Sequence, residues 1–323
     1  MFDIVFLGTS ASAPSIQRGL PSQMVLHKEY RFLIDCGEGT QRQILQSGLG
    51  FKRLDKILIT HSHLDHILGL AGLLSTFMRW EALEKLEIWA GPPAVARIRD
   101  LLHGVVLRGA HPPVELEINA IEPGCLMEDD TFRLSAFPVT HRGGGTFGFL
   151  FEEKPRRPFL AEQADGLGVP PGPLRARLVE GKAVKLPDGS TVDPDDVLGP
   201  LTPGTRLAFV GDCGRTDNIL EHCRQADALV IEATYLEVEA ALAREFSHLT
   251  AAQAAGLARD AQVRRLFLTH LSRRYRDREV LEEARGIFPE TTVVKDFDRY
   301  SIARGKQDLS RPRSPTTAIS ENT

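Results

Sequence analysis

The stretch KILITHSHLDHILGL, Lys56 to Leu70, puts His61, His63, Asp65 and His66 into six positions directly after an apolar run. Two residues apart, His61 and His63 project from the same side of an extended backbone. Asp65 and His66 fall where the strand pattern gives way to a helical one, set by Ile67, Leu70, Leu73 and Leu74. Imidazole nitrogen and carboxylate oxygen are the donors that suit zinc and, less selectively, manganese or iron. A polar surface loop is the plain alternative, but so many costly groups at the end of a buried strand call for something positive to bind.

Four candidates can hold one ion, and a second ion needs ligands from other strand ends. The chain offers His141 at the end of FPVTH, Asp212 at the end of LAFVGD and His270 at the end of RLFLTH. Taken singly, the two histidines read equally as caps and Asp212 as a turn former. Their shared position after an apolar run makes them a set.

With 323 residues, 42% hydrophobic and 25% charged, the chain is long enough for a substantial core and has the composition of an ordinary soluble globular protein. It has no apolar run of about 18 residues, and MFDIVFLGTS lacks the flanks of a secretory signal, so the expectation is a cytoplasmic protein with no membrane partner. Cys36, Cys125, Cys213 and Cys223 form no C-x-x-C pair, which argues against a disulfide framework and against a thiolate zinc knuckle. A net charge of -4 gives no global attraction to nucleic acid, so any such partner needs a local basic patch.

Short apolar runs (DIVFLG, RFLID, KILIT, KLEIWA, FRLSAFPVT, RLAFVGD, ALVIEAT, RLFLTH, TTVVKD) alternate with amphipathic stretches such as TQRQILQSG, PPAVARIRDLLHGV, TDNILEHCRQA and LTAAQAAGLARDA. The mixture predicts an α/β protein with helices on sheet faces. Residues 154–200 are rich in Pro and Gly with little apolar periodicity, as in a functional arm or a disordered linker. Residues 306–323 have almost nothing to bury and read as a disordered tail. The expected organisation is 1–153 and 201–305 as two halves of one domain, with 154–200 inserted. KILITHSH also echoes RRLFLTHLS, and IDCGEGT echoes VGDCGRT, through either an old duplication or chance.

FLGTSASAP, IDCGEGTQRQIL, THSHLDH, VGDCG and LTHLS together resemble, in order and spacing, the metallo-β-lactamase fold and within it the ribonuclease Z branch, the tRNA 3′ processing endonucleases. The likeness runs to about Ala303, and GEGTQ, LTHLSRRY and GVPPGPL mark the branch. It implies a four-layer αβ/βα sandwich with two zinc ions, or other divalent ions such as manganese, at one edge. His61, His63 and His141 would hold one ion, Asp65, His66 and His270 the other, with Asp212 bridging. Asp65 would orient or deprotonate the attacking water. His248, in EFSHLT, matches the family's His-Ser-Thr loop as proton donor or phosphate contact, and Glu232, in VIEATY, would orient it. Two positions depart from the pattern: Ile231 stands where histidine is usual, and Leu249 replaces serine.

The resemblance further implies that the insertion is a flexible exosite gripping precursor tRNA, with Gly172 and Pro173 as its Gly-Pro motif and Arg175, Arg177 and Lys182 as phosphate contacts. Between Lys154 and Lys185 the basic residues Lys154, Arg156, Arg157, Arg175, Arg177, Lys182 and Lys185 outnumber Glu162, Asp165 and Glu180. A homodimer is implied, one subunit's arm serving the other's active site. In APSIQRGLPS, Pro14 and Arg18 keep the family's P-x-K-x-R-N loop, linked to discrimination against mature CCA ends, while Ile16 and Gly19 depart from it. Two rival functions follow from the residues: a phosphodiesterase or arylsulfatase-like hydrolase of small molecules on the same site, and a non-catalytic RNA-binding module, which would require a lost ligand.

Overall fold

The computed structural model describes residues 1–80 and 83–304. Its strands in chain order are β1 (Phe2–Gly8), β2 (Ser22–His27), β3 (Tyr30–Ile34), β4 (Lys56–Ile59), β5 (Lys85–Ala90), β6 (Glu115–Ala120), β7 (Gly124–Glu128) and β8 (Phe132–Val139). They continue with β9 (Thr146–Glu153), β10 (Val184–Lys185), β11 (Thr191–Val192), β12 (Arg206–Phe209), β13 (Ala228–Glu232), β14 (Leu266–Thr269), β15 (Thr291–Val293) and β16 (Arg299–Ile302). One sheet has the order β16-β1-β2-β3-β4-β5-β6 and the other β15-β14-β13-β12-β9-β8-β7. Both are mixed: β3 to β6 run parallel, as do β12 to β15, and the remaining neighbours of known register are antiparallel.

The period-2 alternation of side chains explains why these strands are apolar almost without interruption. Along β1, Val5 and Leu7 join one apolar layer with Ile44, Leu70, Leu73 and Phe77 of the helices Thr40–Gln46 and Gly69–Trp80, while Ile4 and Phe6 join another. That second layer lies between the sheets and takes Phe32, Phe149, Phe209 and Phe267. A third takes Leu229 and Ile231 of β13 with Ala254, Ala258 and Val280 of the helices Ala251–Asp260 and Asp277–Arg285. Helix, sheet, sheet, helix is the four-layer α/β sandwich. A single Phe→Ala change in the middle layer costs about 3–5 kcal/mol.

The chain divides into two compact units, residues 153–204 and the rest. The smaller unit carries an apolar cluster of its own, Ala164, Val169, Leu178, Val184, Leu186, Val192 and Val197. The sequence shows little periodicity here because these residues are scattered between Pro and Gly turns in short elements such as the helices Ala161–Gly166 and Pro173–Val179. TDNILEHCRQA yields only the turn of helix Leu220–Cys223, ended by Gln225 in left-handed backbone with its amide bonded to the Ala261 carbonyl. The tail, 306–323, lies outside the described residues. No described helix is long and apolar enough to cross a membrane.

Candidate metal centre

Strand ends deliver every candidate ligand. His61 follows β4 by two residues, His63 caps the one-turn helix Leu64–Ile67, and Asp65 and His66 lie within that turn. The Gly69 Cα packs so closely that an added Cβ would come within 2.0 Å of the Gly37 carbonyl oxygen, so only glycine lets this turn settle against the loop after β3. His141 follows β8 by two residues and Asp212 follows β12 by three. His270 comes directly after β14 with φ 54°, a strained conformation for a non-glycine residue of the kind concentrated at functional sites.

These side chains meet at one place. Asp212 Oδ2 lies 3.6 Å from His61 Nε2 and 3.7 Å from His141 Nε2, while Oδ1 lies 3.5 Å from His66 Nε2 and 3.3 Å from His270 Nε2. His63 Nδ1 is 3.3 Å from His141 Nε2. Asp65 Oδ2 is 3.7 Å from both His66 Nε2 and His270 Nε2 and accepts the Ser12 amide at 3.1 Å. One group of donor atoms is His61, His63, His141 and Asp212; another is Asp65, His66 and His270.

The outward nitrogens fix the tautomers. His66 Nδ1 donates to Asp35 Oδ2 at 2.8 Å, and His61 Nδ1 donates to the Thr60 hydroxyl at 3.0 Å, which in turn donates to Asp35. His141 Nδ1 donates to the Ser247 carbonyl at 2.7 Å. His270 Nδ1 donates to the Thr234 hydroxyl at 2.9 Å, and Thr234 donates to Glu232. A proton on each Nδ1 leaves Nε2 as a bare lone pair aimed inward, as metal binding requires.

Four of the inward atoms, His61 Nε2, His66 Nε2, His270 Nε2 and Asp212 Oδ1, are buried without a hydrogen-bond partner. Each would cost about 1–3 kcal/mol if left so. One cause accounts for all four: the residues fit divalent cations, with borderline-soft nitrogen and hard oxygen donors in zinc-like proportion. The electrostatics agree at His61, His63 and His141, whereas at His66 burial opposes charge but Asp35 and Asp212 outweigh it and raise the pKa well above the ordinary value. Burial pushes His61 well below the ordinary histidine pKa, and His66 beside it adds to the effect. Burial likewise lowers His63, reinforced by His141, and lowers His141 against the pull of Asp212. Burial opposes charge on Asp212 and Asp65 too, but the surrounding imidazoles, His270 foremost, hold both carboxyls below their usual range.

His248 stands at the edge of the cluster, just before the helix Ala251–Asp260, which Thr250 caps by a reciprocal box with Gln253. Its Nδ1 lies 3.0 Å from both oxygens of Glu232, which also accepts the Cys213 amide at 2.6 Å. Burial opposes charge on His248, but Glu232 outweighs it and the pKa is pushed up to about 9. The two departures from the family pattern leave this pair intact: Ile231 and Leu249 are buried in the outer apolar layer.

Two expected substrate contacts are occupied otherwise. Arg18 gives its guanidinium to the Thr9 hydroxyl, the Val294 carbonyl and Asp277, so it braces the loop after β1. Arg175 bonds the Val169 carbonyl at 2.7 Å, pairs with Asp165 and lies over Phe159, which ties it into its own unit. Lys182 pairs with Glu180 at the surface, Arg177 is exposed, and Gly172 precedes Pro173 at the start of the helix Pro173–Val179 with φ 124°. No motif in the sequence announces the hydrogen-bonding roles of Asp35, Thr60 and Thr234. Thr60 carries one signal, its place between the end of β4 and the candidate ligand His61, whereas Asp35 and Thr234 stand one and two residues beyond their strands with no candidate ligand beside them.

Comparison with known proteins agrees with this geometry. Residues 2–155 match the family model described as anti-Pycsar protein Apyc1, and residues 173–271 match the β-lactamase superfamily domain. A metallo-β-lactamase fold protein of Bacillus subtilis superposes with TM-score 0.65 at 15% identity, covering 93% of this chain and 98% of that one, which carries the fold alone. The short form of human tRNase Z superposes with TM-score 0.66 at 26% identity over 93% of this chain and 99% of that one. Ribonuclease Z of Bradyrhizobium diazoefficiens is 46% identical over 94% of this chain and its own full length. Identity of 46% sustained over 94% of the chain, on this fold, makes the chain a member of the ribonuclease Z family.

Proposed function

We propose that the chain is a zinc-dependent endoribonuclease that removes the 3′ trailer from tRNA precursors and leaves a 3′ hydroxyl on the tRNA. The observation that carries the reading is the way Asp212 divides its oxygens, Oδ2 toward His61 and His141 and Oδ1 toward His66 and His270. One ion would be held by His61, His63 and His141, a second by Asp65, His66 and His270, with Asp212 shared. When bound, such a pair supplies Lewis acidity that activates water near neutral pH and neutralises charge at a phosphoryl centre.

The side chains do the rest. Asp65, steadied by the Ser12 amide, orients the attacking water and takes its proton. His248 keeps Nδ1–H on Glu232 and gives the proton of Nε2 to O3′ as the P–O3′ bond breaks. The trailer leaves with a 5′ phosphate, and the tRNA keeps its 3′ hydroxyl. The unit 153–204 serves as exosite, reading phosphate position and tRNA shape and not sequence. With Arg175 and Arg157 engaged internally, exposed Arg156, Arg177 and Lys185, together with Lys182, make the phosphate contacts around the Gly172–Pro173 turn. A homodimer would let one subunit's arm hold the tRNA for the other's active site.

Purified protein incubated with precursors lacking or bearing an encoded CCA tests this. The expected result is a cut after the discriminator nucleotide of the CCA-less precursor, abolished by chelation and restored by zinc. Turnover of aryl phosphodiesters or cyclic nucleotides with no cut in either precursor would overturn it.

A further inference from the structure

Beside His248 the site opens into a cleft of about 680 Å³ whose wall includes Arg142, Tyr235, Phe246 and Arg273. None of these four belongs to the candidate ligand set or to the Glu232–His248 pair. Phe246 is half-buried, and the Arg142 guanidinium carbon lies 5.1 Å from the centre of its ring. The Tyr235 ring lies 6.1 Å from the His248 ring, inclined at 44°. Among the described residues, the Arg142 guanidinium and the Tyr235 hydroxyl have no hydrogen-bond or ion-pair partner, although both face a cleft where partners could sit.

An aromatic ring with a planar cation stacked on it at the wall of an open cleft is a flat π surface of the kind single-stranded nucleic acid sites use, because every base has a π face. Position says which base. Phe246 ends the helix Ala240–Phe246, and Ser247, at φ 56°, turns the chain straight into His248 while its carbonyl holds His141. The ring is therefore fixed by the backbone to the residue that protonates the leaving oxygen. That oxygen, O3′, belongs to the nucleotide on the 5′ side of the cut.

The geometry points to Phe246 and Arg142 as a stacking platform for the base of the nucleotide that carries the leaving O3′, the last nucleotide of the processed tRNA. The inference rests on the proposed function and names a subsite of it. Stacking on a face accepts any of the four bases, so the platform gives grip and orientation without a sequence requirement.

The test is a cycle of protein and substrate changes, read as kcat/KM with zinc content measured throughout. Phe246→Ala and Phe246→Leu should each lower cleavage of intact precursor about 5- to 150-fold, with Phe246→Trp close to the wild type. A precursor abasic at the last tRNA nucleotide should be cut by the wild type with a similar loss, and the Ala and Leu variants should lose nothing more on it. Wild-type behaviour of Phe246→Leu overturns the platform, since that variant keeps an apolar side chain and lacks only the ring. So do losses that multiply, or coupling to an abasic first trailer nucleotide instead. In each of those cases the wild type still cuts normally and the proposed function stands, whereas a wild type that cuts no precursor overturns both.

Discussion

Asp35 after β3 and Glu232 at the end of β13 are buried carboxylates on opposite sheets, and each holds one histidine Nδ1 directly and a second through a threonine hydroxyl. Asp35 takes His66 and, through Thr60, His61; Glu232 takes His248 and, through Thr234, His270. The wiring is alike and the outcome differs. Both imidazoles on Asp35 turn bare nitrogens toward Asp212, and both are almost wholly enclosed. Of the two on Glu232, His270 does the same, while His248 has its Nδ1 on Glu232 and lines the cleft. In the proposed mechanism one hub would only present ligands, and the other would join the ligand set to a proton donor facing substrate. The chemistry of a histidine here follows from where its second nitrogen points, not from what holds the first.

The largest effect should come from cutting the second hub at its catalytic end. His248→Ala is expected to lower kcat on precursor tRNA about 10²- to 10⁴-fold, the range of a lost general acid, with bound zinc unchanged. Metal analysis beside single-turnover rates checks this. Loss of zinc along with activity would place His248 among the ligands, its Nδ1, 3.8 Å from Asp212, having given up Glu232, and the contrast between the hubs would collapse.

Cutting the first hub should show in the metal and less in the proton. Asp35→Asn leaves His66 Nδ1–H facing a weaker acceptor, and loss of such an outer partner costs about 10- to 100-fold in metal affinity. Competition against a calibrated chelator measures it, and excess zinc should restore most of the activity. The sharper form of the comparison is Glu232→Gln, expected to disturb the rate more than the affinity. Equal affinity losses in the two variants would mean that the hubs are interchangeable.

Much of this centre is legible in the sequence, and the reason is geometric. Ligands that must converge between two sheets are delivered by strand ends, so His61, His141, Asp212 and His270 each sit where an apolar run stops, and the run can be read. The carboxylates behind them leave no comparable mark. Asp35 looks like a turn residue in IDCG, and its role depends on β3 pairing with β4, which brings the Thr60 amide within 2.8 Å of its side chain. Pairing is a long-range property that no local pattern encodes. Arg18 and Arg175 show the converse: a cation in a loop looks unpartnered until the fold shows its ion pairs, with Asp277 and Asp165. β9 was also unmarked, since Gly148 interrupts its run; that glycine is required where an added Cβ would sit 2.4 Å from the Phe137 ring.

The smallest effect separates the hubs by pH in protein stripped of metal. His248 has its folded pKa pushed up to about 9 by Glu232, against about 6.5 in an unfolded chain. A raised pKa means that the folded state binds the proton more tightly. Its stabilisation is thus full below about pH 6.5 and is lost as pH rises through about 9. The full shift corresponds to about 3 kcal/mol, and solvent at the cleft wall reduces this to about 1–2 kcal/mol. Thermal melts of chelator-treated wild type should fall between pH 6.5 and 9 more steeply than those of Glu232→Gln, with the two curves converging at the alkaline end. Parallel curves would show that Glu232 holds His248 by geometry alone, and the second hub would then differ from the first only in where its histidine points.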